Sequence, residues 1–180
     1  MGTLPLIAHP DHPPLAVTAL EAAIIGLTDH WLRVRWRVEG AARVLLPPFA
    51  GSARSDGLWR ETCFELFLKT PGDGSYVELN LSPSERWAAY DFIGYRAGMA
   101  PRPMPRDPDS VARSGRDLLI FDGSVPLAGL PLLPWQLGIS AVIEEEGGHK
   151  SYWALAHPPG QADFHHPTCF AASLAAPGNP

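Results

Sequence analysis

The run HWLRVRWRVEG, His30 to Gly40, alternates without a slip: Leu32, Val34, Trp36 and Val38 fall on one side, and Trp31, Arg33, Arg35, Arg37 and Glu39 on the other. An extended strand sends successive side chains to opposite faces and sorts these residues cleanly, whereas a helical repeat would mix them. One face is therefore expected to be buried. The Arg row on the other face is expected to be solvated or paired with acidic strands, with an anion site the lesser alternative. A strand of this kind needs partners, and 20 Pro and 17 Gly among 180 residues speak against long helices elsewhere, because both residues weaken helix interiors.

Other runs read the same way. In LWRETCFELFLK the alternation puts Thr62, Phe64, Leu66 and Leu68 on a core face and Cys63, Glu65, Phe67 and Lys69 on the opposite one. After the turn TPGDGS, Val77, Leu79 and Leu81 point inward and Tyr76, Glu78, Asn80 and Ser82 away. Neighbouring strands would then bring Glu65, Glu78 and Asn80 onto one surface, with direct cross-strand Cβ atoms roughly 5 Å apart. Beyond the SPSE turn, Trp87, Asp91 and Tyr95 share one face and Ala88, Tyr90 and Phe92 the other; the first set is expected to join the acids. DLLIFDGSVPL reads as a strand, and PWQLGISAVIEEEGGHKSYWALAH as a hairpin turning at Glu146-Gly147-Gly148.

The remaining segments are connectors. Residues 1–14 read as an extended lead-in, and LAVTALEAAIIGLT suits either a short helix or, in this β context, a pair of short strands. A short strand is expected from Ala41 to Leu46, stopped by Pro47-Pro48, with FAGSARSDG as a loop. The Pro-rich loop 97–116 either folds over the ligand face or moves freely. PPGQADFHHPTCFAASL should form an ordered loop and a closing strand, and residues 175–180 should fray. The sum is one domain spanning 1–180: an all-β, jelly-roll-like antiparallel β-sandwich of nine or ten strands.

Composition narrows the function. The net charge of -5 and the scattered Arg residues give no footprint for nucleic acid. The N-terminus lacks a cationic region followed by an unbroken apolar one, and no run approaches the roughly 20 apolar residues of a membrane span. With only Cys63 and Cys169, two reduced thiols are expected, and the protein reads as cytoplasmic without membrane partners. Nothing here fixes an oligomeric state.

LWRETCFELFLKTPGDGSYVELNLSPSERWAAYDF resembles the recurring pattern of DOMON-like domains and the related family 9 carbohydrate-binding modules: a Trp before an x-E-x-F strand, a strand ending in a Ser-Pro turn, then an aromatic strand. ADFHHPTCF similarly resembles the Phe-His-x-Pro-x-x-Phe signature near the end of those modules. The resemblance runs from Leu58 to Phe170 and implies a β-sandwich whose relatives bind sugars or haem. It also implies a structural place for His165.

Sugar recognition uses flat aromatic faces against pyranose C–H groups and planar polar groups that bond vicinal hydroxyls in pairs. The candidate ligand-binding set is Trp59, Trp87 and Tyr95 for stacking, with Glu65, Glu78, Asn80 and Arg96 for hydrogen bonding. The expected function is non-catalytic binding of a carbohydrate or similar polyhydroxylated molecule on a concave sheet face. Against it stands a plainer alternative, with Trp59 and Trp87 at the core edge and the acids paired with Arg60, Arg86 and Arg96.

Three other chemistries remain open. Glu65 and Glu78 could act as the paired carboxylates of a glycoside hydrolase. His157, Asp163, His165 and His166 suit zinc, and Asp56, Asp73 or the acids of the cluster calcium. Haem would need Met99 or Met104 with a His. No cofactor is expected. Cys63 should be a buried thiol, and neither a G-x-S-x-G elbow nor a phosphate-binding glycine motif occurs.

Overall fold

The computed structural model describes residues 2–176. Its strands, in chain order, are β1 (Leu4–Ala8), β2 (Ala19–Leu27), β3 (Trp31–Glu39), β4 (Ala53–Arg54), β5 (Cys63–Lys69), β6 (Tyr76–Leu81), β7 (Arg86–Phe92), β8 (Ala100–Pro101), β9 (Asp109–Ser114), β10 (Leu118–Pro126), β11 (Trp135–Glu145), β12 (His149–Ala154) and β13 (Ala172–Leu174). The fold is all-β, as expected, but with thirteen strands in one mixed, strongly curled sheet, a half-barrel. β4 runs parallel to β7, while the other strand pairs are antiparallel. No helix of the described residues is long and apolar enough to cross a membrane.

Continuity of the sheet depends on β1. Its Leu4, Pro5 and Leu6 pair with β2, and its Ile7 and Ala8 pair with β12. One half therefore runs β1-β2-β3-β10-β9, and the other β1-β12-β11-β5-β6-β7-β4. Curling brings the halves face to face: Phe64 of β5 stacks on Phe121 of β10 with ring centroids 4.2 Å apart, and Trp36 of β3 lies 5.5 Å from Phe64. The approach is close enough that a Cβ on Gly123 of β10 would fall 2.5 Å from a methyl of Leu81 on β6. Any side chain there would have to push Leu81 aside.

The alternation of Trp31–Glu39 is realised as read. Leu32, Val34, Trp36 and Val38 are fully buried, and Arg35 on the opposite face pairs with Asp122 of β10 at 2.6 Å. Several connectors differ from expectation. The stretch from Ala19 is a single long strand, and Ala41–Arg43 forms a 3-10 turn, leaving Val44 one bridge to Glu145. The Pro-rich segment 97–116 is not free, and it reaches the ligand face through Met99, which lines the cavity described below. It crosses from one half to the other, contributes β8 and β9, and is pinned by Arg102, whose backbone N–H donates to the Ala89 carbonyl at 2.8 Å. The closing strand occurs as β13; of the fraying expected at 175–180, residues 177–180 lie outside the described residues.

The lead-in is extended but firmly held. Glu145, at the end of β11 and fully buried, accepts the backbone N–H groups of Leu15, Ala16 and Val17 at 2.7, 2.6 and 3.3 Å. His149 Nε2 contacts the Pro13 carbonyl at 2.6 Å, and the His9 N–H donates to the Tyr152 carbonyl. Losing the carboxylate strands three donors, each costing about 1–3 kcal/mol when buried. Glu145→Ala should therefore lower unfolding free energy by at least about 2 kcal/mol in urea titration and expose residues 9–17 to limited proteolysis. Phe121→Ala, which opens a cavity between the halves, should cost about 3–5 kcal/mol in the same measurement.

Candidate ligand-binding cavity

Register across β11, β5, β6 and β7 builds the floor of a site. Ser140, Glu65, Asn80 and Ala88 form one row, and Gly138, Phe67, Glu78 and Tyr90 the next. Matching parity puts all of these on the sheet face turned away from the main core, so Glu65, Glu78 and Asn80 do share a surface. That surface is not open. Glu65 is 3%, Glu78 7% and Asn80 1% exposed, because loops roof the face and an aromatic cluster of Phe67, Tyr76, Tyr90 and Phe92, backed by Leu58, Phe164 and Phe170, closes one end.

Between floor and roof lies a cavity of about 730 Å³. Its walls include Trp59 and Arg60 from the loop before β5, Arg96 after β7, Phe164 and His165 near the C-terminus, and His12 on the strap held by Glu145. Trp59, 51% exposed, stands at the mouth with the Arg60 guanidinium 5.6 Å from its ring centroid. On the floor, Asn80 Nδ2 donates to Glu78 Oε1 at 2.8 Å and Ser140 Oγ donates to Glu65 Oε2 at 3.3 Å. Asn80 Oδ1 is buried and has no hydrogen-bond partner among the described residues.

Electrostatics follow from burial. Desolvation, reinforced by the neighbouring Glu78 charge, holds the Glu65 carboxyl well above the usual carboxylate range. Burial also raises Glu78, while Asn80 and Arg96 oppose the shift. His165 is pushed down to about 4, first by desolvation and then by Arg96. At neutral pH it is uncharged, so its Nε2, 3.7 Å from Glu78 Oε2, makes no ion pair there.

Of the residues expected to meet a ligand, Trp59, Glu65, Glu78, Asn80 and Arg96 all line this cavity. Tyr95 does not. It borders an adjoining cavity of about 590 Å³ that Arg96 also lines, and its hydroxyl donates to Asp163. Trp87 is a correction: it faces the main core at 6% exposure, with the Arg54 guanidinium 4.8 Å from its ring, and Ala88, Tyr90 and Phe92 take the ligand side. The hairpin explains it. Three residues, Pro83 to Glu85, separate Ser82 from its partner Arg86, with Glu85 left-handed at φ 68°, so even-numbered residues of β6 oppose even-numbered residues of β7.

The plainer alternative fails for the acids, since among the described residues neither Glu65 nor Glu78 pairs with an Arg. Arg96 is engaged by Asp163 instead, at 2.6 and 3.1 Å. Tyr90, whose hydroxyl donates to Asp56 at 2.6 Å, was missed in sequence along with His12, Tyr152 and Gln161. Hairpin parity would have found Tyr90. The others arrive from loops that no local period describes.

The candidate metal and haem residues have other engagements. His165 Nδ1 meets the Tyr76 hydroxyl at 2.8 Å, His157 Nε2 the Ile7 carbonyl at 2.8 Å, and His166 Nδ1 accepts from the Thr168 N–H. Asp73 caps its own turn through Ser75, and Met104 packs against Gly129. Among the described residues no three His, Cys, Asp or Glu side chains cluster as metal ligands. Both cysteines are buried free thiols.

No protein-family model matches the sequence. None of the curated proteins matches it either. Solved structures do resemble it. A candidate carbohydrate-binding protein from Bacteroides uniformis superposes with a TM-score of 0.62 at 14% identity, covering 97% of this chain and 85% of that one. A family 9 carbohydrate-binding module from Caldicellulosiruptor kristjanssonii, in complex with glucose, gives 0.58 at 11% identity over 90% and 78% of the two chains. The same organism's family 9 module with cellotriose gives 0.52 at 11% over 87% and 75%. Of the two groups the motifs resemble, these neighbours represent the carbohydrate-binding modules, and the chain has a fold like that of family 9 carbohydrate-binding modules.

Proposed function

We propose that this protein binds a saccharide, or a small molecule equally rich in hydroxyls, in the cavity over β5 and β6 without transforming it. Asn80 Oδ1 carries the proposal: a buried carbonyl with no donor among the described residues, beside the carboxyls of Glu65 and Glu78, in the wall of a cavity. An acceptor left unpaired costs about 1–3 kcal/mol, and a ligand hydroxyl relieves that cost. Glu65, Glu78 and Asn80 then accept from neighbouring hydroxyls, the half-exposed Trp59 offers its face to a sugar ring, and Arg96 supplies a donor at the wall. Tyr95, across Arg96 in the adjoining cavity, becomes a contact for a longer ligand. Glucose and cellotriose complexes of modules with this fold support the ligand class.

A second reading draws on the carboxyl pair. Glu65 and Glu78 sit diagonally across β5 and β6, an offset of about 7–8 Å between backbones, and a hydrolase needs one acid protonated and the other ionised. Release of reducing sugar from cellotriose that disappears in Glu65→Gln would favour this reading over simple binding.

Calorimetric titration with glucose and cellotriose tests the proposal. Saturable binding without turnover is expected, weakened about tenfold or more by Trp59→Ala and by Asn80→Ala, as for central anchors of a buried contact. No binding of either sugar would sink it. The acids also set a pH signature. Both have folded-state values above their unfolded ones, so the stability they contribute is complete below about pH 4.3 and is lost as pH rises toward the folded values. The melting temperature of Glu65→Gln relative to the parent should therefore climb as the pH rises above about 4.3.

A further inference from the structure

Resting on the cavity proposed above, we infer that its floor suits a ligand carrying a protonated amine beside its hydroxyls: an amino sugar in preference to a neutral one.

The inventory of donors and acceptors is lopsided. Glu65, Glu78 and Asn80 together present five side-chain oxygens, and the described residues supply hydrogen bonds to two of them, from Ser140 to Glu65 Oε2 and from Asn80 itself to Glu78 Oε1. Glu65 Oε1, Glu78 Oε2 and Asn80 Oδ1 receive none among the described residues. A hydroxyl brings one proton to such a site. An ammonium brings three, directed tetrahedrally, together with a charge.

The charge matters because the floor has acids but, among the described residues, no cation within ion-pair distance at neutral pH. Arg96 is turned to Asp163, and Arg60 lies out at the mouth beside Trp59. Also facing the acids are Cys63 on β5, Tyr76, Tyr90 bonded to Asp56, Tyr152, His12 on the strap, and His165, which is uncharged at neutral pH. A buried carboxylate without a counter-charge is costly and holds its proton instead. An incoming ammonium reverses this. It keeps its own protons, the carboxyl proton of the acid pair leaves to solvent, and the new N–H⁺···O⁻ contacts are charge-assisted, about twice as strong as neutral ones. Independently of the acids, the Oδ1 of buried Asn80, unpartnered among the described residues, calls for a donor at the same place.

The test is calorimetry on the full chain near neutral pH with glucosamine, galactosamine and mannosamine, each against glucose, galactose or mannose and against its N-acetyl form. At least one amine should bind about tenfold or more tighter than its neutral counterpart, lose that gain on N-acetylation, and release protons, seen as a heat that varies with the buffer's ionisation enthalpy. Glu78→Gln should bring the ratio of amine to neutral sugar close to one. An unfolding transition like the parent's in that variant separates the effect from misfolding, and Glu65→Gln provides a second variant if it does not fold. Neutral sugars that bind with no amine preferred overturn the inference and leave the saccharide reading standing; failure of both series sinks both. Calcium that fills the acids and blocks the amine also overturns it.

Discussion

Burial of β5 on both of its faces is the constraint from which the rest follows. On one side Phe64, Leu66 and Leu68 close the core between the two curled halves; on the other Glu65 and Phe67 would meet water were the sheet a simple two-faced layer. Instead the second face is covered by a strap, three loops and an aromatic cluster. Apolar Phe67 and Phe92 profit from the covering, while Glu65, Glu78 and Asn80 are dragged out of water with them. The cavity is what remains where these polar groups prevent the roof from settling onto the floor.

Much of this was legible in residues taken two at a time. The alternation in Trp31–Glu39 and in Cys63–Lys69 fixed the faces of β3 and β5 correctly, and the same period put Glu78 and Asn80 beside Glu65. Parity failed once, at Trp87, because the phase of β7 is set by the three-residue hairpin at Pro83–Glu85 and not by the hydrophobicity of the strand itself. Trp, Ala and Tyr are each at home on either face, so local composition carries no phase. The wide loop 97–116 escaped for a different reason: its order comes from Arg102 reaching Gly129 and Asp91, contacts to distant residues that leave no period behind.

The FHHP segment shows how similar residue types part ways by context. His165, Asp163 and the neighbouring Cys169 offer good ligating atoms, yet each is spent on holding the loop: His165 against Tyr76, Asp163 against Arg96 and the His165 N–H, Cys169 donating to the Asp163 carbonyl. Burial raises the Cys169 thiol to about 12, so it stays protonated. The result is a stiff wall for the cavity, with Arg96, held at a left-handed φ of 51°, as the joint between wall and sheet.

The divided pairing of β1 has a consequence for how the molecule is assembled in time. Its Leu4–Leu6 portion finds partners at Ala22, Glu21 and Leu20, early in the chain, but Ile7 must wait for Ala154, which leaves the ribosome only after most of these residues. Until then the curled sheet has an unclosed seam, and the strap that carries His12 to the cavity has nothing to fasten to. Joining the ends of so long an intervening chain carries a large loop-closure entropy, which makes this seam a slow and late step in folding. β1, made before the strands it must join, is thus among the last to reach its final place.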